Sequence, residues 1–496
     1  MNYLNRRQLL LAGLGVAGGG LSACAAPSEP ATPGAPPSSA PPPSISRTPA
    51  LSPAPGGSTV ESVLRPRPVT LDLGGVTAKT WAYDDSGATV LRGTAGDLFR
   101  INVENQLPTS TSVHWHGIRL HNAADGVPGV TQQPIEPGTT FNYEFVAPDP
   151  GTYFFHPHSG VQLDRGLYAP LIIDDPAEPG DYDDEWIVVL DDWTDGVGRS
   201  PDEIFEEFAA KDGSVSMGMG HGNMGDMGHG SGSALGDAGD VAYPHYLING
   251  RVPDAPASFD GEPGQRVRLR MINAGSDTIF KIALGGHTMT VTHSDGFPVE
   301  PRDTASLYIA MGERYDATVT LGDGAFPLVA RPEGKQGLAL AVVRTASGTA
   351  PTAETPVPEL DGDALLGTQL RAADGSRLTD GDVDLSFGVE LNGQMDPYGW
   401  GINGRKFGDH EPLEVAANNR VRMRMTNMTM MAHPMHIHGH TWGLPDSGGL
   451  RKDTVLLTPM QTLELDLIAD NPGEWMLHCH NIYHAEVGMM TSMRYL

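Results

Sequence analysis

At 496 residues the chain is too long for one hydrophobic core, so about three domains are expected. Its 61 acidic and 32 basic residues give a formal net charge of −29. That charge argues against nucleic acid or an anionic membrane surface as a partner and is compatible with the attraction of cations, although acidity of this size also simply aids solubility. The two cysteines, Cys24 and Cys479, each suit another role better than a disulfide, so packing and metals must hold the fold.

Residues 1–24 have the pattern of an export signal. Arg6 and Arg7 precede an apolar run that is too short to span a bilayer comfortably. Paired arginines at this place mark the bacterial route that exports folded proteins. The run Leu-Ser-Ala-Cys that ends at Cys24 resembles a lipoprotein box, in which the cysteine is acylated. The alternative is an ordinary secretory signal with a chance cysteine. The pattern predicts an extracytoplasmic protein that is anchored by a lipid at the cell membrane.

The next segment, 25–66, consists mainly of Pro, Ala and Ser and has almost no large apolar residues. Such a segment cannot bury enough surface to fold, so a disordered spacer is expected. From about residue 67, short apolar–polar alternations appear between Gly, Pro, Asp and Asn, for example at 98–103, 141–145 and 267–271. This pattern is typical of half-buried strands and predicts an all-β fold built from sandwiches.

An internal repeat divides this body into three copies. Three asparagines end similar strands: Asn105, Asn273 and Asn427. The ninth residue after each of them is His114, Ile282 and His436, respectively. The predicted domains are 67–177, 185–345 and 385–496. Because only the first and third copies carry histidine pairs, we expect a metal centre between them, with the second copy as a structural spacer that shapes the substrate side.

A segment at 214–236 is inserted in the second copy and is too rich in glycine to form core. It contains six soft potential ligands: Met217, Met219, His221, Met224, Met227 and His229. Thioethers and imidazoles suit Cu(I), whereas the alternative is a plain low-complexity linker.

Four His-x-His pairs carry the chemistry: His114 and His116, His156 and His158, His436 and His438, and His478 and His480. On a strand both imidazoles of a pair point to one face, roughly 7 Å apart, which suits one ligand to each of two neighbouring metals. Cys479 points to the opposite face, where a thiolate, imidazoles and a weak thioether such as Met489 would make a blue-copper site. One such run alone would also fit a zinc site or a buried thiol.

Four motifs connect the chain to a known family: His-Trp-His-Gly at 114–117, His-Pro-His at 156–158, His-Pro-Met-His-Ile-His-Gly at 433–439, and His-Cys-His-x₃-His-x₄-Met at 478–489. From about residue 67 to its end, the chain resembles the three-domain multicopper oxidases, which include laccases and copper-resistance oxidases. Within that family it is most similar to the twin-arginine-exported lipoproteins of actinobacteria. The resemblance implies three cupredoxin-like Greek-key β-sandwich domains and four copper ions per chain.

The resemblance also implies how the ligands divide. They are His433, Cys479, His484 and axial Met489 for the type 1 copper; His114 and His436 for type 2; His116, His156 and His480 for one type 3 copper; and His158, His438 and His478 for the other. Electrons would enter at the type 1 site and reach the other three coppers through Cys479. Asp125 matches the family acid that supplies protons, although a turn aspartate before Gly126 is the alternative. The family's second acid would fall at Ala485, and Glu486 follows instead, which leaves the second relay open.

Met430 and Met431 match methionines near the cuprous-ion site of copper-detoxifying relatives, although Thr429 stands where those relatives have an acid. Ordinary core packing is the alternative for these methionines. We therefore predict a monomeric oxidase of copper resistance that couples one-electron oxidation of Cu(I), phenols or both to the reduction of O₂ to water. The alternatives are a general laccase and, outside enzymes, a copper-sequestering lipoprotein. A copper nitrite reductase would lack the paired type 3 ligands.

Overall fold

The computed structural model describes residues 51–178, 180–211, 213–215, 233 and 235–496. The expected export signal, its Cys24 and most of the expected spacer lie outside this part, as do the six soft ligands of the Met/His segment. Strands dominate the described residues, and the α-helices found there are α1 at Pro201–Ala210 and α2 at Ile482–Val487. Among the described residues, the search for a helix long and apolar enough to cross a membrane found none.

The first sandwich contains nine strands: β1 Thr59–Leu64, β2 Arg67–Asp72, β3 Thr77–Ala82, β4 Leu91–Thr94, β5 Leu98–Glu104, β6 His114–His116, β7 Thr140–Val146, β8 Gly151–His156 and β9 Ala169–Asp174. They form sheets ordered β1-β5-β7 and β4-β9-β8-β6, and β2 and β3 form a separate hairpin. The structure differs from the expected spacer at β1, which lies within 25–66. This strand pairs in parallel with β5 and turns Val60 and Leu64 inward, so a short alternating run completes the sheet where composition alone indicated disorder.

The second sandwich contains β10 Asp184–Trp193, β11 His245–Ile248, β12 Ala257–Asp260, β13 Arg266–Asn273, β14 Phe280–Leu284, β15 Met289–Ser294, β16 Phe297–Thr304, β17 Leu307–Ile309, β18 Arg314–Thr320, β19 Ala325–Pro332 and β20 Ala339–Arg344. The third contains β21 Leu385–Gln394, β22 Gly399–Ile402, β23 Leu413–Val415, β24 Arg420–Asn427, β25 His433–Ile437, β26 Trp442–Leu444, β27 Leu450–Lys452, β28 Thr454–Leu457, β29 Thr462–Ile468, β30 Glu474–Cys479 and β31 Met490–Tyr495.

The second and third sandwiches have the same strand order. Their larger sheets run β11-β10-β13-β18-β15-β16 and β22-β21-β24-β29-β26-β27. Their smaller sheets run β12-β20-β19-β14-β17 and β23-β31-β30-β25-β28. Every strand of the second sandwich thus has an equivalent in the third, and the prediction of an all-β fold of repeated sandwiches is confirmed. One buried apolar cluster extends through all three, with Trp115, Tyr315 and Trp442 among its members.

The three repeated asparagines explain why the copies share a local fold. The side-chain oxygen of each accepts a hydrogen bond from the N–H two residues later, at 2.9 Å in all three copies, on Leu107, Gly275 and Thr429. Each side-chain amide donates to a carbonyl four or five residues later, on Thr109, Thr278 and Met431. This satisfies the backbone of a turn that leaves the sheet, so the next strand starts in the same place in every copy.

Candidate metal centres

Strand pairing brings the histidine pairs together within each outer sandwich. In the first, β6 pairs antiparallel with β8, and His114 lies opposite His156. In the third, β25 pairs with β30, and His436 lies opposite His478. Directly opposed side chains of an antiparallel pair are neighbours on one face. The ring centroids are accordingly 5.5 Å apart in both pairs.

The two outer sandwiches then face each other and merge the pairs into one cluster of eight imidazoles. The rings of His114 and His438 stack at 3.7 Å across the interface, and His158 lies 5.1 Å from His478. Seven of the eight residues are buried and His158 is partly exposed. The structure therefore brings together all eight histidines that the sequence indicated.

The nitrogen positions in this cluster fit metal binding. His158, His438 and His478 offer nitrogens that all lie within 4.8 Å of one another. The Nε2 atoms of His438 and His478 are 3.0 Å apart, and His116 Nδ1 lies 3.2 Å from His480 Nε2. Two nitrogens bound to one metal by bonds of about 2.0 Å at tetrahedral angles are about 3.3 Å apart. Within the described residues, three buried Nε2 atoms have no hydrogen-bond partner: those of His114, His156 and His436.

Most imidazoles of the cluster have a lowered pKa, which favours the neutral form that binds metals. Burial, reinforced by neighbouring imidazoles, lowers the pKa well below its usual range in five of them: His116, His156, His158, His438 and His480. Burial likewise lowers the pKa of His478 to about 3. Protonation at neutral pH therefore does not compete for these nitrogens.

A second, separate group of ligands lies on the opposite face of β30. Cys479 Sγ is 3.7 Å from the Nδ1 atoms of both His433 and His484, and these two nitrogens are 3.2 Å apart. Bonds of about 2.3 Å to sulfur and about 2.0 Å to nitrogen in a trigonal plane would separate sulfur and nitrogen by about 3.7 Å. The three donors thus fit one soft metal, and the side chain of Met489 is fully buried where its backbone bonds to Cys479 and His484.

Helix α2 holds His484 in place. The side chain of Asn481 caps this helix by accepting from the N–H groups of Tyr483 and His484. Because Cys479 is the last residue of β30 and lies between His478 and His480 in the sequence, the thiolate group and the eight-imidazole cluster are joined by covalent bonds. The thiolate group and the imidazole cluster therefore lie on opposite faces of β30, which is the back-to-back arrangement predicted above.

Several residues around His484 were not found from the sequence. Its Nε2 lies 2.9 Å from Asp240 Oδ2, and Tyr398 donates its hydroxyl hydrogen to the same carboxylate. Trp400 stacks on the His484 ring at 4.2 Å. On the other ligand, His433 Nε2 lies 2.8 Å from Thr429 Oγ1. Asp240 is 244 residues from His484 in sequence and follows no motif, so no local pattern could have identified it.

Asp125 lies in the cluster, as the sequence indicated. Its carboxylate is 3.0 Å from His438 Nδ1, and its main-chain carbonyl is 2.9 Å from His114 Nδ1. Asp453, which the sequence analysis missed, has the equivalent place beside His436 and His116. The guanidinium of Arg314 holds the pKa of Asp453 well below its usual range, although burial of the carboxyl group acts in the opposite direction.

Glu486 lines a cavity of about 740 Å³ that extends to His158, beside Val127, Phe407 and Met476. Burial raises the pKa of this carboxyl group to about 7. Glu486 is therefore a weak acid between solvent and the cluster.

Met430 and Met431 shortly precede the ligand His433 in the sequence and differ in exposure. Met430 is 65% exposed, whereas Met431 is buried. The backbone of Met431 forms bridges to Gly236 and Asp237, at the end of the Met/His segment. Packing in the core thus accounts for Met431, and Met430 remains open to solvent.

Comparison with known proteins agrees with this geometry. Three models of the multicopper oxidase family match residues 68–178, 222–348 and 386–496. The chain is 45% identical to the multicopper oxidase MmcO of Mycobacterium tuberculosis over 89% of this chain and 88% of the relative. It is 29% identical to a copper resistance protein A homologue of Pseudomonas syringae pv. tomato over 82% and 87% of the two chains.

Solved structures give the same result. The structure aligns with a laccase from Botrytis aclada at a TM-score of 0.72 and 26% identity, covering 89% and 88% of the two chains. It also has the fold of the multicopper oxidase Fet3p, at a TM-score of 0.75 and 20% identity, with coverages of 88% and 90%. The chain belongs to the multicopper oxidase family and is a copper-dependent oxidoreductase that uses O₂ as electron acceptor.

Proposed function

We propose that this oxidase takes its electrons from Cu(I) at the thiolate site and serves in copper resistance. The observation that carries the proposal is where the Met/His segment is attached. Before the segment, Gly213 N–H donates to the carbonyl of Tyr398 at 2.8 Å. After it, Asp237 N–H donates to the carbonyl of Met430 at 3.0 Å, and Asp240 reaches His484. Both attachments are therefore next to residues of the thiolate site, because Tyr398 shares Asp240 with His484 and Met430 is three residues before His433. This position suits delivery of a soft cation.

The residues between these attachments and the metal site support the same substrate. A small cavity beside Asn481 is lined by Met311, Met431, Asp237 and Glu333. Thioethers with carboxylates can hold a cuprous ion, and the chain's net charge of −29 favours the approach of cations. The relatives named copper resistance protein A are consistent with a role of this kind.

For the resident metals we propose four copper ions per chain, with the ligands that the family resemblance implies. Bound copper supplies one-electron redox chemistry, and four such ions match the four electrons that reduce O₂ to two waters. The chain connects the donors: Cys479 at one metal is the sequence neighbour of His478 and His480 at the others. We assign proton supply to Asp125, which contacts the cluster, and to Glu486, which faces its cavity.

We also propose that the protein is exported folded by the twin-arginine route and held in the cell envelope as a lipid-anchored monomer. The support is the sequence of residues 1–24, which ends in the lipoprotein-like run at Cys24. Mass spectrometry of the mature N-terminus tests this. A diacylated Cys24 is expected, whereas an unmodified N-terminus at another residue would contradict the anchor.

The substrate proposal is tested by replacing the soft ligands of the Met/His segment, within residues 216–232, while the length of the segment is kept. In one variant every Met becomes Leu and every His becomes Gln; in the matched control the Met and His residues stay and the serines and aspartate become glycine. O₂ uptake is measured with Cu(I) and with a phenol. We expect Cu(I) turnover to fall at least about tenfold in the first variant alone, with phenol turnover retained. Unchanged Cu(I) turnover would favour a general laccase.

Cys479→Ser separates the enzyme from a copper-sequestering protein. In an oxidase this change abolishes O₂ uptake while the copper of the imidazole cluster is retained. A sequestering protein would show no O₂ uptake with Cu(I) before the change and would lose little copper after it. Metal analysis and O₂ uptake of both proteins therefore distinguish the two functions.

A further inference from the structure

Four imidazoles of the cluster form two stacked pairs, and one aspartate serves each pair. In the first, His114 stacks on His438 at 3.7 Å with planes 19° apart. Asp125 accepts from His114 through its main-chain carbonyl and from His438 through its carboxylate. Both imidazoles use Nδ1 for these bonds, which leaves Nε2 as the free lone pair.

The second stack repeats this arrangement. His436 stacks on His116 at 3.7 Å with planes 12° apart. His436 Nδ1 donates to the main-chain carbonyl of Asp453 at 3.0 Å. His116 Nε2 is 3.3 Å from Asp453 Oδ1 and 3.1 Å from Thr454 Oγ1. These bonds leave Nε2 of His436 and Nδ1 of His116 free, and the latter faces His480 Nε2 at 3.2 Å.

The two aspartates differ in what holds them. In the described part of the chain, the ion pairs of Asp125 are those with His114 and His438. Asp453 instead receives both arms of Arg314, at 2.6 and 2.7 Å, in the fork geometry that suits a carboxylate. Neither side chain of this pair is exposed to solvent.

Arg314 belongs to the second sandwich, which was expected to be a structural spacer that shapes the substrate side. Its remaining donors bond to the carbonyls of Thr152 in the first sandwich and of Gly312, both at 3.1 Å. Gly312 itself packs against the cluster, because a Cβ built on it would lie 2.9 Å from atoms of His116 and His480. The second sandwich thus contacts the imidazoles through the backbone at Gly312 and supports them through Arg314, which binds Asp453.

We propose that Arg314 is a positioning residue of the oxygen-reducing centre, which holds Asp453 so that His116 and His436 present the correct nitrogens to two different metals. Among the described residues, the equivalent aspartate, Asp125, has no such ion pair with a guanidinium group. Arg314 therefore makes one of two similar aspartates a fixed support.

The chain offers a matched control for this proposal. Arg270 lies on β13 of the same sandwich, is also buried, and donates to the carboxylates of Glu185 and Asp316 and to Thr152 Oγ1. Asp316 contacts none of the eight clustered histidines. Arg314→Lys and Arg270→Lys each keep the positive charge and remove the planar fork.

The experiment measures copper affinity by competition with a chelator, together with the electron paramagnetic resonance of the non-blue copper. For Arg314→Lys we expect affinity of the cluster for its weakest copper to fall about 10–100-fold and the non-blue hyperfine splitting to change, with the blue absorption retained. Arg270→Lys is expected to keep the wild-type copper affinity and the wild-type hyperfine splitting. A wild-type affinity and spectrum in Arg314→Lys, or an equal loss in Arg270→Lys, would overturn the proposal.

A second variant covers the case in which Arg314→Lys does not fold. Arg314→Gln combined with Asp453→Asn removes both charges and leaves no buried ion without a partner. The same loss of affinity is expected from it, because an amide at 453 without the fork no longer fixes His116. Retention of native copper affinity in this double variant would equally overturn the proposal.

Discussion

Replacing Asp240 by asparagine isolates the effect of one negative charge on the thiolate site. The side chain is fully buried, and Asn can still accept hydrogen bonds from His484 and Tyr398. The carboxylate lies 2.9 Å from His484 Nε2, so it would be about 7 Å from a copper ion held by His484 Nδ1, if the ring and the metal bond add about 4 Å. A unit charge at that distance interacts with about 2.4 kcal/mol at an effective dielectric constant of about 20.

The carboxylate stabilises the oxidised, more positive metal, so its removal raises the reduction potential. The energy corresponds to an increase of about 100 mV for one electron. Potentiometric titration of the blue absorption measures it directly. Asp237→Asn is the control, because Asp237 is exposed and its charge is screened by solvent. A shift below about 20 mV in Asp240→Asn, or a fall in potential, would refute the argument.

Three further predictions follow from other parts of the structure. Arg268 and Arg270 lower the pKa of Asp316 to about 2, although burial of the carboxyl group opposes this shift. Asp316→Asn should therefore lower the free energy of unfolding by about 2 kcal/mol at pH 7. Because the pKa of Asp316 is depressed in the folded state, this contribution to stability should be present above about pH 4 and lost as the pH falls towards about 2. Acid unfolding of the wild type and of Asp316→Asn measures it, and an equal stability of the two proteins above about pH 4 would contradict the prediction. Glu486→Gln should lower O₂ turnover at least about 100-fold without changing the blue absorption, and unchanged turnover would remove Glu486 from proton supply. A copper chelator should lower the melting temperature of the protein, since bound metal stabilises the fold, and an unchanged melting temperature would contradict tight binding at the buried ligands.

The repeat and the histidine pairs were predictable because they follow local rules. Strand alternation places two imidazoles on one face and Cys479 on the other, and the recurring asparagines mark equivalent turns. Strand β1 was missed because its pairing partner β5, and not its own composition, makes it a strand.

The supports of the metal centres could not be predicted in this way. Asp240 is 244 residues from His484, and Arg314 is 139 residues from Asp453. Such contacts arise only when whole sandwiches meet, and the residues involved follow no spacing within their own strands. The strands of the second sandwich carry no histidine pair in the sequence, although in the fold this sandwich contributes Asp240 and Arg314 to two different sites.

The most direct test of the account is X-ray diffraction from copper-loaded crystals, with anomalous data collected on both sides of the copper absorption edge. We predict one copper peak among His433, Cys479 and His484, and three more within the cluster of eight imidazoles. Peaks that are absent just above the copper edge and appear only above the zinc edge, which lies at higher energy, or a cluster without copper, would contradict it.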